Sequence, residues 1–154
     1  MSVQSAKKKR LQVRPQAMRL FSRLLLASTV FNVLAILLFA SRFRADAIAN
    51  GTAKAGWLVA ILLEIGINTL FWWRISIRAG NFARWLYIAL LFAGLFQIPR
   101  VYSLSHRYGP VYGILMAASM ILGLGTIIVL LRKDVSQWLR SGGKTPEVDP
   151  SVFD

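Results

Sequence analysis

The sequence predicts an all-α fold: an integral membrane four-helix bundle with both termini on the cytoplasmic side. Three observations carry that prediction. First, the 154 residues are 56% hydrophobic and only 16% charged, whereas a soluble domain holds roughly 45–50% apolar and about 25% charged residues. Second, the 19 Lys and Arg residues sit in short intervals between long uncharged runs. Third, alternate intervals hold 14 and 5 of them, the imbalance that marks the richer side as cytoplasmic. The length fits a single domain.

The N-terminal segment, 1–19, is basic, with Lys7, Lys8, Lys9, Arg10, Arg14 and Arg19. On a membrane-held chain this cluster is expected to meet anionic lipids of the cytoplasmic leaflet rather than nucleic acid. The membrane domain, 20–131, contains spans at about 24–41, 55–73, 85–104 and 108–131, since crossing a core of roughly 30 Å takes about 20 apolar residues. The first run exceeds the 7–15 residues or so of a signal peptide, and Arg42 and Arg44 separate it from the cleavage-like Ala45-Asp46-Ala47, so it reads as an uncleaved span. The loop that follows, 42–55, turns at Asn50-Gly51. The second span is interrupted only by Glu64, and the hairpin after it turns at Gly80-Asn81. The third uncharged run, 85–99, is short. Trp85 at one interface and a snorkelling Arg100 extend it through 101–104. Gly109-Pro110 suits the start of the fourth span. Beyond it, 132–140 is read as an interfacial helix with Val135, Trp138 and Leu139 on one face, and 141–154 as a flexible tail.

No cysteine and one histidine, His106, remove disulfides, thiolate metal sites, a cysteine nucleophile and a full histidine-based triad. There is no glycine-rich phosphate loop and no carboxylate pair for hydrolysis. The sequence therefore names no catalytic residue, no metal and no cofactor, and reads as not an enzyme.

What it does name are polar groups inside the spans. Glu64 lies at the centre of the second, where the translocon scale charges about 2.5–3.5 kcal/mol for an acid and where hydrocarbon disfavours the charged form. Asn68, at i+4, shares its face. Asn32, Ser119 and Gln97 lie in the other spans and are expected to complete an intramembrane polar network. Ser28, Ala89, Ala93, Gly113, Ala117, Gly123 and Thr126 form small or polar stripes, which in a bilayer face other helices or a partner. Arg100, His106 and Arg107 form an external basic rim.

The run Arg78-Ala79-Gly80-Asn81-Phe82-Ala83-Arg84-Trp85, with Trp138-Leu139-Arg140 after the last span, resembles a hairpin and juxtamembrane signature of small uncharacterised four-span bacterial inner-membrane proteins. That resemblance implies a bacterial inner (plasma) membrane location and no particular chemistry. The size and span number are also similar to those of membrane immunity proteins that block pore-forming toxins. The expected function is binding to another membrane-embedded protein, as an accessory subunit or an immunity-type inhibitor. The alternative is a small oligomeric proton-coupled transporter or channel using Glu64. The expected partners are another integral membrane protein or a second copy of the chain.

Overall fold

The computed structural model describes residues 15–52 and 55–143, and the basic cluster at 1–14 and the tail from 144 lie outside them. Among the described residues the chain forms seven α-helices and no strand. α1 (Gln16–Leu38), α3 (Gly56–Trp72, continued by a π-turn at Trp73–Ile77) and α6 (Pro110–Leu131) are each long and apolar enough to cross a membrane. α4 (Asn81–Leu95) and α5 (Ile98–Tyr108) make a fourth when taken together, bent by 52°. α2 (Ala40–Ala49) and α7 (Lys133–Arg140) are short, and α7 is strongly amphipathic.

The surface is consistent with helices that lie in a bilayer. Leu62 and Ile128 are each 71% exposed and Ile121 68%, and most of the other outward positions of α3 and α6 are also Leu, Ile or Val. A water-soluble monomer rarely exposes so large a contiguous apolar area. In hydrocarbon that surface costs nothing.

α1 is the axis of the bundle, with α6 antiparallel along its length and α3 antiparallel on another flank. The seam with α6 is close because the facing residues are small. A Cβ on Gly123 would touch Leu91 Cδ2 at 3.6 Å and Ser28 Oγ at 3.7 Å, and one on Gly125 would touch Leu24 Cδ1 at 3.5 Å. Ser28 Oγ donates to the Ser119 carbonyl at 2.9 Å, and Ser119 Oγ donates to the Ser28 carbonyl at 3.0 Å. Each of the two hydroxyls thus donates to the facing helix's backbone across the seam.

Three breaks shape the ends. The first apolar run stops at Phe39 rather than at Ser41, and helix resumes as α2 where the sequence indicated a loop. The interruption lets Phe39 stack on Tyr108 (6.0 Å between centroids) and meet Tyr112 edge-on (5.4 Å), contacts that no local signal encodes. Asn50-Gly51 then turns, with Gly51 at φ 64°. The third span is bent rather than continuous. Pro99 lacks an N–H and its ring clashes with the carbonyl four residues back, so α4 ends at Leu95 and α5 starts afresh. The α3–α4 hairpin needs Gly80, because a Cβ there would lie 2.8 Å from the Arg74 carbonyl oxygen.

α7 places Val135, Trp138 and Leu139 on one face, as the spacing indicates. That face is buried against the bundle, with Met18, Phe21, Ile75 and Leu130 in the same cluster, rather than spread on lipid. The helix closes the end that carries both termini of the described chain, called here the terminal end. Within the Arg78–Trp85 run, Arg84 is 1% exposed. Its guanidinium lies over the Trp85 ring at 4.8 Å and donates from Nη1 to Ser136 Oγ at 2.8 Å. The run therefore ties the hairpin to α7.

Candidate functional site

Glu64 sits at mid-length of α3, and Asn68 follows one turn on. Asn68 Nδ2 donates to Glu64 Oε1 at 2.8 Å and to Thr29 Oγ1 of α1 at 2.9 Å. This three-residue chain cross-links α1 and α3 at the level of the acid. Thr29 was not among the sequence candidates, although it lies at i−3 from Asn32, on that residue's helix face.

The other expected members of the network are placed differently. Ser119 is spent on Ser28 in the α1–α6 seam. Among the described residues, neither Asn32 nor Gln97 is hydrogen-bonded to Glu64. Instead both line a cavity of about 360 Å³ beside it, bounded by Leu25, Phe71, Tyr87, Leu91, Met116 and Met120 among others. Tyr87 was missed too. It is buried in the span, its ring 5.3 Å from that of Phe71, and its hydroxyl accepts from Thr126 Oγ1 at 3.3 Å. A phenol inside a span needs a polar partner, and that was the available signal.

A second cavity, of about 630 Å³, lies outward of the first, toward the α1–α2 and α5–α6 corners. Its walls include Trp57, Phe43, Tyr108, Tyr112, Arg100 and Arg107. The two cavities share Asn32, Gln97, Val101 and Met116 in their linings. Those side chains are the partition between Glu64 and the distal end of the bundle, the end away from α7. On the other side of Glu64, Phe71 and Tyr87 join Phe21 and Ile127 in the buried cluster that runs to α7. The space around the acid is thus open toward one end and packed toward the other.

The basic rim divides. Arg107 Nη2 pairs with Asp46 Oδ1 at 2.6 Å, Tyr108 donates its hydroxyl to the same carboxylate, and Arg42 Nη1 donates to the Tyr108 carbonyl. These contacts hold α2 across the α5–α6 junction. Arg100 lines the outer cavity, whereas His106 packs edge-on against Tyr102 at 4.5 Å and is absent from the cavity wall. Asp46, a residue the sequence offered only as part of a cleavage-like triplet, is the organising charge of this end.

The small residues divide as well. Ser28, Gly123 and Thr126 are internal to the seam, and Gly113 meets Ser105, whose Oγ would lie 2.9 Å from a Cβ. Ala89, Ala93 and Ala117 face outward. Cβ atoms added at Gly66 and Gly94 would meet nothing within 4 Å. Among the described residues no group of three or more His, Cys, Asp or Glu side chains is arranged to hold a metal ion.

No protein-family model, no curated protein and no solved structure matches the chain. What defines the class is therefore the fold and the site: a small helical bundle with three or four apolar spans and one carboxylate at mid-span.

Proposed function

We propose that this chain is a small, non-enzymatic transporter of the bacterial inner membrane, in which Glu64 exchanges a proton for a solute that reaches it from the external face. The observation that carries the reading is the stacked pair of cavities between the distal end and Glu64, with packed core on the opposite side. The excess of basic residues on the terminal side supports assigning that side to the cytoplasm, which makes the distal end external. An ionisable group inside a span is a functional site by default, and the space beside Glu64 has the size of a small-ligand pocket. Self-association fits the open surface at Gly66, Ala89, Ala93 and Gly94, where a second copy would complete the walls.

The test is reconstitution in liposomes with an internal pH dye. An imposed pH gradient, with a mixture of small organic and inorganic cations on the opposite face as exchange solutes, should drive proton flux in the wild type. Glu64→Gln should abolish it at unchanged expression and helical content. Wild-type flux from Glu64→Gln would end this reading.

A second reading, docking on another integral membrane protein as an accessory subunit or immunity-type inhibitor, is favoured by one observation. Ala89 and Ala93 form an outward stripe beside the open Gly94, and small residues permit close helix approach in a bilayer. A near-stoichiometric membrane partner should then co-purify in mild detergent and be lost with Ala93→Phe. Purification of the chain alone would count against it.

A further inference from the structure

We infer that the solute taken at Glu64 is a lipophilic organic cation with an aromatic or apolar body, rather than a bare metal ion or an anion. This deepens the transport reading and rests on it.

The coordination chemistry argues first. A hard metal cation requires a shell of several oxygen ligands. Around Glu64 the nearest side chain, Asn68, presents its amide nitrogen to the carboxylate, and the Ser28 and Ser119 hydroxyls are already engaged with each other. The Asn32 and Gln97 amides also line the cavity beside it, yet one carboxylate beside two neutral amides that are not bonded to it falls short of the roughly six to eight oxygens of a hard cation's shell. The carboxylate can pair with one diffuse positive charge.

The walls argue second. The inner cavity is bounded by Leu25, Phe71, Tyr87, Met116 and Met120, and the outer one by Trp57 and Tyr112 among others. Aromatic faces attract desolvated cations. Methionines adapt to irregular apolar bodies. A ligand with an apolar body also recovers burial along the whole path, which a hydrated ion does not.

The charge balance of the mouth is compatible. Arg107 is neutralised by Asp46, which leaves Arg100 as the opposing charge on the cavity wall. That repulsion acts across a wet opening, where salt screens it. Glu64 lies deeper, where screening is weak. The exchange conserves charge: as the organic cation seats, the Glu64 carboxyl O–H breaks and its proton leaves to water through the distal cavity. One positive charge enters and one departs, and no other bond changes.

The experiment uses the full chain in detergent micelles, with tetraphenylphosphonium chloride as probe and sodium chloride at equal ionic strength as control. Calorimetry should show saturable binding that sodium does not displace, accompanied by proton release in a weakly buffered solution. Glu64→Gln should remove the proton release and weaken binding by about tenfold or more. Arg100→Gln should tighten binding by about two- to fivefold. Ile128→Leu, on the outward face of α6 and away from both cavities, should bind like the wild type and serves as the folding control. Binding without proton release, displacement by sodium, or weaker binding in Arg100→Gln would each overturn the inference. If proton flux in liposomes depends on Glu64 while the phosphonium neither binds nor competes, the ligand class falls and the transport reading stands. If flux survives Glu64→Gln, the transport reading itself has failed.

Discussion

The two ends of this bundle are built from the same four helices and differ in what fills them. At the terminal end Met18, Phe21, Ile75, Leu130, Val135 and Leu139 are almost wholly buried, and α7 lies across them as a plug. At the distal end the buried set is Ala35, Tyr108 and Tyr112, with Phe39, Phe43, Leu104, Leu115 and Met116 leaning on it, and a cavity of about 630 Å³ lies beside this smaller cluster. The physical cause is where each helix breaks. α1 and α6 stay in contact throughout. α4 is deflected at Pro99, and α5 follows α6 instead of closing on α3. A bundle whose members diverge at one end leaves space there, and the half-buried Glu64 carboxylate stands at the boundary between the filled and the open halves.

The sharpest way to break that comparison uses the absence of native cysteine. In single-cysteine variants, Asn32→Cys and Gln97→Cys should react with a small membrane-impermeant thiol reagent added from the distal side. Ile127→Cys should remain unmodified on the same timescale. Equal labelling at the two levels would erase the asymmetry.

Next in size is the plug itself. Phe21→Ala removes a fully buried ring from the terminal core and should cost about 3–5 kcal/mol, the range for buried Phe→Ala changes, read as loss of thermal stability in detergent. The equivalent truncation at the half-exposed Phe43 should cost much less. A similar loss at both positions would mean the distal end is packed as tightly as the terminal end.

A smaller effect tests how α7 is held. Ser136→Ala leaves the buried Arg84 guanidinium without its hydroxyl partner and should cost about 1–3 kcal/mol, the penalty for a stranded buried donor. Limited proteolysis at the terminal end should accelerate accordingly. No change in either measurement would show that apolar contacts alone dock α7.

The smallest change sharpens the central seam. Ser119→Ala removes one of the two reciprocal hydroxyl bonds to α1 and should cost about 0.6 kcal/mol, the average for hydrogen bonds between membrane helices. The Ser28→Ala/Ser119→Ala pair should be non-additive, because each residue is the other's partner.

Much of this was legible in the chain. The spans at α1, α3 and α6 follow from the uncharged runs. Glu64 and Asn68 share a face because four residues make about one helical turn, and the structure joins them directly. The apolar face of α7 follows from the spacing of Val135, Trp138 and Leu139. Legibility ended where a contact joins residues far apart in sequence. Thr29 reaches Asn68 only because α1 packs against α3 at that register. Asp46 pairs with Arg107 only because α2 folds over the α5–α6 corner. Ser119 bonds to Ser28 rather than to Glu64 because α1 and α6 bring the two serines face to face.

By itself the sequence determined a helical chain with long apolar runs and the one carboxylate at the centre of the second. Those properties are local: composition sets solubility in hydrocarbon, and periodicity sets which residues share a face. The tertiary structure alone decided which polar residues meet, that the amphipathic α7 seals one end, and that the other end stays open down to Glu64. Those depend on helix register, crossing and the bend at Pro99, which arise from packing between segments that no single segment encodes.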